Sequence, residues 1–197
     1  MFSFIRNPHK LLFLGGLLSS LILVGFGLAS VVIGYQGRQE VRDTLAQENI
    51  VTPADASQPN IKVVDGASAR VQADIMRHHA LTSSGGLTYA QMGSYLAAAN
   101  PKDPAGTSDK NLALKDANGS PVANSFRNTW VTETALTTAL NTAYFAENVG
   151  LFAIVMGTAL VLTGVGFSVL TVGAYHFSAE KDAQKKEAAA GKLALQS

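Results

Sequence analysis

The sequence predicts an all-α membrane protein: an antiparallel two-helix transmembrane hairpin with helical stalks and a small, loop-rich, mainly helical extracytoplasmic domain. Three observations predict it. Of the 197 residues 47% are hydrophobic and only 15% charged, against roughly 25% charged in a soluble domain. The apolar residues gather into two runs without a single charge, Leu11 to Gly34 and Val149 to Ala174. At about 1.5 Å of rise per residue, runs of 24 and 26 residues each exceed a hydrocarbon core of roughly 30 Å. The expected division is a cytoplasmic N-terminus over 1–10, a span over 11–35, an extracytoplasmic domain with its stalks over 36–148, a span over 149–175 and a cytoplasmic tail over 176–197.

Orientation follows from the basic residues. Arg6 and Lys10 precede the first run with no acid among them, and Lys181, Lys185, Lys186 and Lys192 follow the second, interleaved with Glu180, Asp182 and Glu187. The middle segment offers only Arg38 and Arg42 close to a membrane end, and long segments translocate largely regardless of charge. Both termini are therefore expected in the cytoplasm of a multi-pass cell-membrane protein. The basic leader and Gly27-Leu28-Ala29 imitate a cleaved signal peptide, but the apolar run continues through Val31, Val32 and Ile33, beyond the length of a signal core.

Several functions are excluded or disfavoured. A net charge of +1 leaves no electrostatic footprint for nucleic acid. Cysteine is absent, so disulfides, thiolate nucleophiles and Cys-held metals or haem are ruled out. Neither apolar run holds an ionisable residue, which argues against an ion or proton path built from this chain alone.

Small residues recur every seven positions: Ser20, Gly27 and Gly34 in the first run, Gly150, Gly157, Gly164 and Thr171 in the second. Lipid gives helices no hydrophobic reason to associate, so close backbone approach at small residues is a main source of attraction. These seven are the expected helix-packing residues. Gly166 and Gly173 lie on another face, open to a further helix from a partner. Tyr35 and Phe145 at one end, and Tyr175, His176 and Phe177 at the other, read as interfacial belts.

Beyond the membrane, Gln36 to Asn49 and Asn128 to Asn148 read as stalks, the second carrying an apolar stripe of Val131, Ala135, Leu136, Ala139, Leu140, Ala143 and Tyr144. Asp65 or Ser68 caps a helix that ends near Leu81. The capping-box spacing of Thr88 and Gln91 predicts a shorter helix stopped by Pro101, with Met92, Tyr95 and Leu96 facing inward. Asn100 to Ser125 reads as a long irregular loop. From Thr52 to Arg127 only 16 of 76 residues are Val, Ile, Leu, Met, Phe or Tyr, too thin a supply for an independent core. That shortage points to life inside a complex.

Asp74 and His78 share a helical face, and His79 adjoins them, but no third ligand is fixed by spacing and Arg77 would repel a cation. Ser83-Ser84-Gly85-Gly86 lacks the strand and lysine of a phosphate loop. No catalytic, cofactor-binding or metal-ligating residue is expected. Asp74, His78, His79 and Trp130 are expected as partner contacts.

Val41-Arg42-Asp43, then Asn49-Ile50-Val51-Thr52-Pro53-Ala54-Asp55-Ala56, Gln72-Ala73-Asp74-Ile75 with His78 or His79, and Gly85-Gly86-Leu87-Thr88-Tyr89 together resemble a family of actinobacterial two-span membrane proteins. Members of that family often carry the label of ring-opening dioxygenases. Such enzymes need two histidines and a carboxylate around one iron, and adjacent His78 and His79 on a helix cannot readily share one. In size and topology the chain also resembles the small accessory subunit of the actinobacterial respiratory supercomplex that joins cytochrome bcc to the aa3-type oxidase. The resemblance implies a structural, non-enzymatic subunit without a cofactor of its own, whose partners are the lipid bilayer and a larger membrane complex. An extracytoplasmic sensor or ligand-binding module with a binding loop at 100–125 is the alternative. A metal-dependent envelope enzyme using Asp74 and His78 is a second.

Overall fold

A computed structural model describes residues 8–194. It is all-α: α1 spans Pro8–Gln47, α2 Gly66–Ser83 and α3 Ser125–Ala194. One 3-10 turn, Tyr89–Gln91, lies between α2 and α3, and the described residues hold isolated β-bridges but no strand. Arg6, and the side chains of Lys186 and Lys192, lie outside the described residues. The chain divides into two compact units, Met1–Gln36 with Gly150–Ser197, and Gly37–Val149. Stretches of α1 and α3 in the first unit are long and apolar enough to cross a membrane.

In the first unit the two helices meet along their small residues, in antiparallel order. A Cβ added at Gly27 would fall 2.6 Å from the carbonyl oxygen of Gly157, and one at Gly157 would fall 2.6 Å from that of Gly27. Gly34 faces Gly150 at 2.5 Å and Gly164 faces the Ser20 carbonyl at 2.9 Å by the same measure. Gly16 faces Thr171, and the Ser20 hydroxyl bonds that of Ser168. A seven-residue period keeps such a stripe on one side of both helices. Gly25, Gly166 and Gly173 face open space.

In the second unit, α2 begins where its sequence provides a cap. The Asp65 carboxylate accepts the Ser68 N–H at 2.8 Å, and the Ser68 hydroxyl oxygen accepts the Asp65 N–H at 3.1 Å. These bonds satisfy donors that a helix start leaves orphaned, and the Ser68 hydroxyl, donating to the Asp65 carboxylate at 2.6 Å, together with the Ser68 N–H holds that carboxyl below its ordinary range. Small Ala69 and Ala73 let α2 pack closely, joining Leu45, Val63 and Leu140 in one buried cluster. Ala80, Met92 and Trp130 form a second.

Two expectations are corrected. The capping-box residues do meet, with the Thr88 N–H donating to Gln91 Oε1 at 2.8 Å, but only the 3-10 turn follows. The Tyr95 backbone is taken by Thr107, in both directions at 2.8–2.9 Å, so no helix runs on to Pro101. The 100–125 segment is irregular yet tied down. Buried Asn124 donates to the Gly93 and Pro104 carbonyls at 3.0 Å and accepts the Phe126 N–H at the start of α3. Gly106 reaches this knot with φ +58, where any Cβ would strike the Tyr95 carbonyl. Finally, of the α3 apolar stripe only Leu140 is buried, with Val131 55% and Leu136 48% exposed, and the buried row of α3 is completed by Trp130, Glu133, Thr137 and Glu147. In that row Trp130 and Glu147 bond groups on other elements, while Thr137 donates to the Glu133 carbonyl of its own helix.

Replacing Gly27 by Leu forces bulk into the seam and is expected to cost about 1–3 kcal/mol. Gly25→Leu, in open space on the same helix, is expected to leave stability within error. Thermal melts of both variants in detergent, followed by circular dichroism, check this.

Candidate functional site

The second unit is fastened at Glu147. Its side chain is 9% exposed, and Oε1 accepts from Arg38 Nη2 at 3.0 Å and from Arg42 Nη2 and Nε at 2.7 and 2.9 Å. Oε2 accepts the Gly66 N–H, the first residue of α2. That backbone donor reaches the carboxylate because Gly66 lies against Tyr144 and Glu147 with no room for a side chain. Burial pushes the Glu147 carboxyl up, but the Gly66 hydrogen bond and the two guanidinium groups outweigh it and hold it below its ordinary value near 4.5. One carboxylate thus joins α1, α2 and α3.

Beside this junction the three helices enclose an open groove of about 790 Å³. Val41 and Leu45 of α1, Met76 of α2, Leu136, Ala139, Leu140 and Ala143 of α3, and Ile50 make it apolar. Glu40 and Thr44, one turn apart on α1, and Glu48, in the turn that ends α1, also line it. Neither acid has an ion-pair partner among the described residues. Gln72 also lines it, and the buried Gln72 Oε1 has no hydrogen-bond donor among the described residues, a deficit worth about 1–3 kcal/mol. Leu136, Ala139, Leu140 and Ala143 of the α3 apolar stripe thus line this groove. No sequence pattern marks the groove itself, because its walls come from three separated segments.

A second, more polar depression of about 580 Å³ is lined by His79, Ser83, Asn128, Thr129, Thr132 and Glu133 among others. The Glu133 side chain is 4% exposed and Arg77 stands 4.0 Å away, while its Oε1 has no partner among the described residues. Arg77 also lies over the Trp130 ring, 5.1 Å from its centroid.

The expected partner contacts are dispersed. Asp74 does not pair with His78: it pairs with Arg70 at 3.4 Å, one turn back. His79 instead bonds Asp55 at 2.7 Å, and this hydrogen bond holds the Asp55 carboxyl below its ordinary value. His78 makes no hydrogen bond or ion pair among the described residues, and no group of three potential metal ligands occurs there. Trp130 is buried at 3% exposure, its Nε1–H donating to the Leu87 carbonyl at 3.0 Å. It anchors the interior and offers no surface to a partner. No family model matches the chain, and neither does any curated protein or solved structure. The functional reading therefore rests on the geometry.

Glu147→Gln keeps an acceptor for Gly66 but abandons two arginines, which are 27% and 45% exposed. Because water partly screens them, a loss of about 1–3 kcal/mol is expected, below the range for a fully buried pair. A carboxyl held low in the folded state stabilises above its unfolded value, and that stabilisation fades as pH falls toward and through the lower folded value. Wild-type stability should therefore decline from about pH 5 downward, and Glu147→Gln should flatten part of the decline. Fluorescence melts reported by the single tryptophan, Trp130, measure both.

Proposed function

We propose that the chain is a non-catalytic accessory subunit of a larger membrane protein complex. In this reading α1 and α3 form an antiparallel transmembrane hairpin with both termini in the cytoplasm, and Gly37–Val149 lies outside. The small-residue seam supports the hairpin. Leu18, Phe26, Ile33, Leu162, Val169 and Leu170, each more than 60% exposed, support lipid as the surrounding medium. Exposed Tyr35, Phe145 and Phe177 fit interfacial positions.

The observation that carries the accessory role is the open apolar groove of the outer unit. A segment with so few large apolar residues gains by burying them, yet Leu136 stays 48% exposed and Val41, Ile50 and Met76 are only partly covered. A partner that fills the groove completes the core. The resemblance in size and topology to the small accessory subunit of the actinobacterial respiratory supercomplex points to cytochrome bcc-aa3 subunits as that partner. The subunit would then bridge or cover redox subunits on the outer side and carry no cofactor.

Two measurements test this. The chain has no cysteine, so single replacements report topology cleanly: a membrane-impermeant maleimide should label Ser57→Cys in intact cells and Lys181→Cys only after permeabilisation. Labelling of both, or of Lys181→Cys alone, before permeabilisation would overturn the orientation. Purification of the tagged chain in mild detergent should bring stoichiometric cytochrome subunits with haem absorbance. A colourless preparation without partners would sink the accessory reading.

A further inference from the structure

We infer that the groove of the outer unit receives an amphipathic helix of a partner subunit that carries lysine or arginine beside its apolar face. This rests on the accessory reading and names the surface and the chemistry of its partner. The groove is walled by helices, and its floor on α3 includes Ala139 and Ala143, one turn apart, where an incoming backbone can approach closely. Apolar side chains spaced three and four residues apart fit such a trough.

Charge decides which helix fits. Glu40 on α1 and Glu48, in the turn that ends it, stand eight residues apart, about 12 Å at helical rise, and neither is neutralised within the described residues. The nearby cations Arg38 and Arg42 are already committed to Glu147. Two unpaired acids beside a desolvating apolar trough reject an acidic or purely apolar occupant and favour one with bases two turns apart. An anionic lipid is disfavoured by the same acids.

The test uses the full chain in its native membranes, with the photoreactive residue p-benzoylphenylalanine placed at exposed Thr44, midway between the two acids. Cross-linked peptides mapped by mass spectrometry should come from one partner segment with helical apolar spacing and at least one Lys or Arg on the adjoining turn. Adding Glu40→Lys and Glu48→Lys should lower the yield tenfold or more, with unchanged Trp130 fluorescence showing that the fold persists. The inference is overturned by cross-links to lipid, to a second copy or to an acidic segment, by an unaltered yield in the double variant, or by no cross-link at all. Purification of the same sample separates the two failures. Intact cytochrome association with no groove cross-link removes this inference alone, and loss of all partners removes the accessory reading with it.

Discussion

A single buried carboxylate organises the Gly37–Val149 unit. Glu147 draws two guanidinium groups from α1 and the leading N–H of α2 onto one side chain of α3. Taking that charge out of water is costly, and the cost is recovered only when all three donors are in place. The junction therefore specifies an arrangement more than it adds stability: any slippage of α1 or α2 leaves a buried charge short of partners. The close approach of Gly66, the cap at Asp65 and the burial of Ala69 and Ala73 all depend on α2 starting at that point.

Polar fastening of this kind recurs because the unit has little hydrophobic material. Thr52, 1% exposed, donates to the Gln58 carbonyl at 2.6 Å and accepts the Ile61 N–H at 3.0 Å, closing the 52–61 loop around one hydroxyl. Asn124 does the same for the segment after α2. Each replaces a missing cluster of apolar side chains with a few saturated hydrogen bonds, which fix geometry well but bury little surface. The groove is what remains where no such device closes the structure.

The long-range pattern of the fold was legible in the sequence, and its cross-connections were not. Charge-free runs located the two apolar helices because length and composition alone decide that question. The seven-residue recurrence of glycine picked out residues that meet in the seam, and Asp65 announced α2. Glu147 escaped because its three partners are distant in sequence, although its place fourteen residues after Glu133 in one buried row was a readable sign. Arg38 and Arg42 counted only toward orientation, and their task in the fold is different. The α3 stripe shows a subtler failure: periodicity reveals that a face is apolar without revealing whether its own chain covers it. After Thr88, local capping lost to backbone pairing with Thr107, a competition that no short window contains.

The glycine seam differs in kind from the ionic junction. At Gly27 and Gly157 the hydrogen that stands in place of Cβ points at the facing carbonyl oxygen, reciprocally. Such Cα–H···O contacts are worth about 0.5–1 kcal/mol each. Their donors and acceptors do not titrate and carry no net charge, so proton concentration and ionic strength leave them untouched. The same chain thus holds one unit by forces that respond to the aqueous phase and the other by forces blind to it.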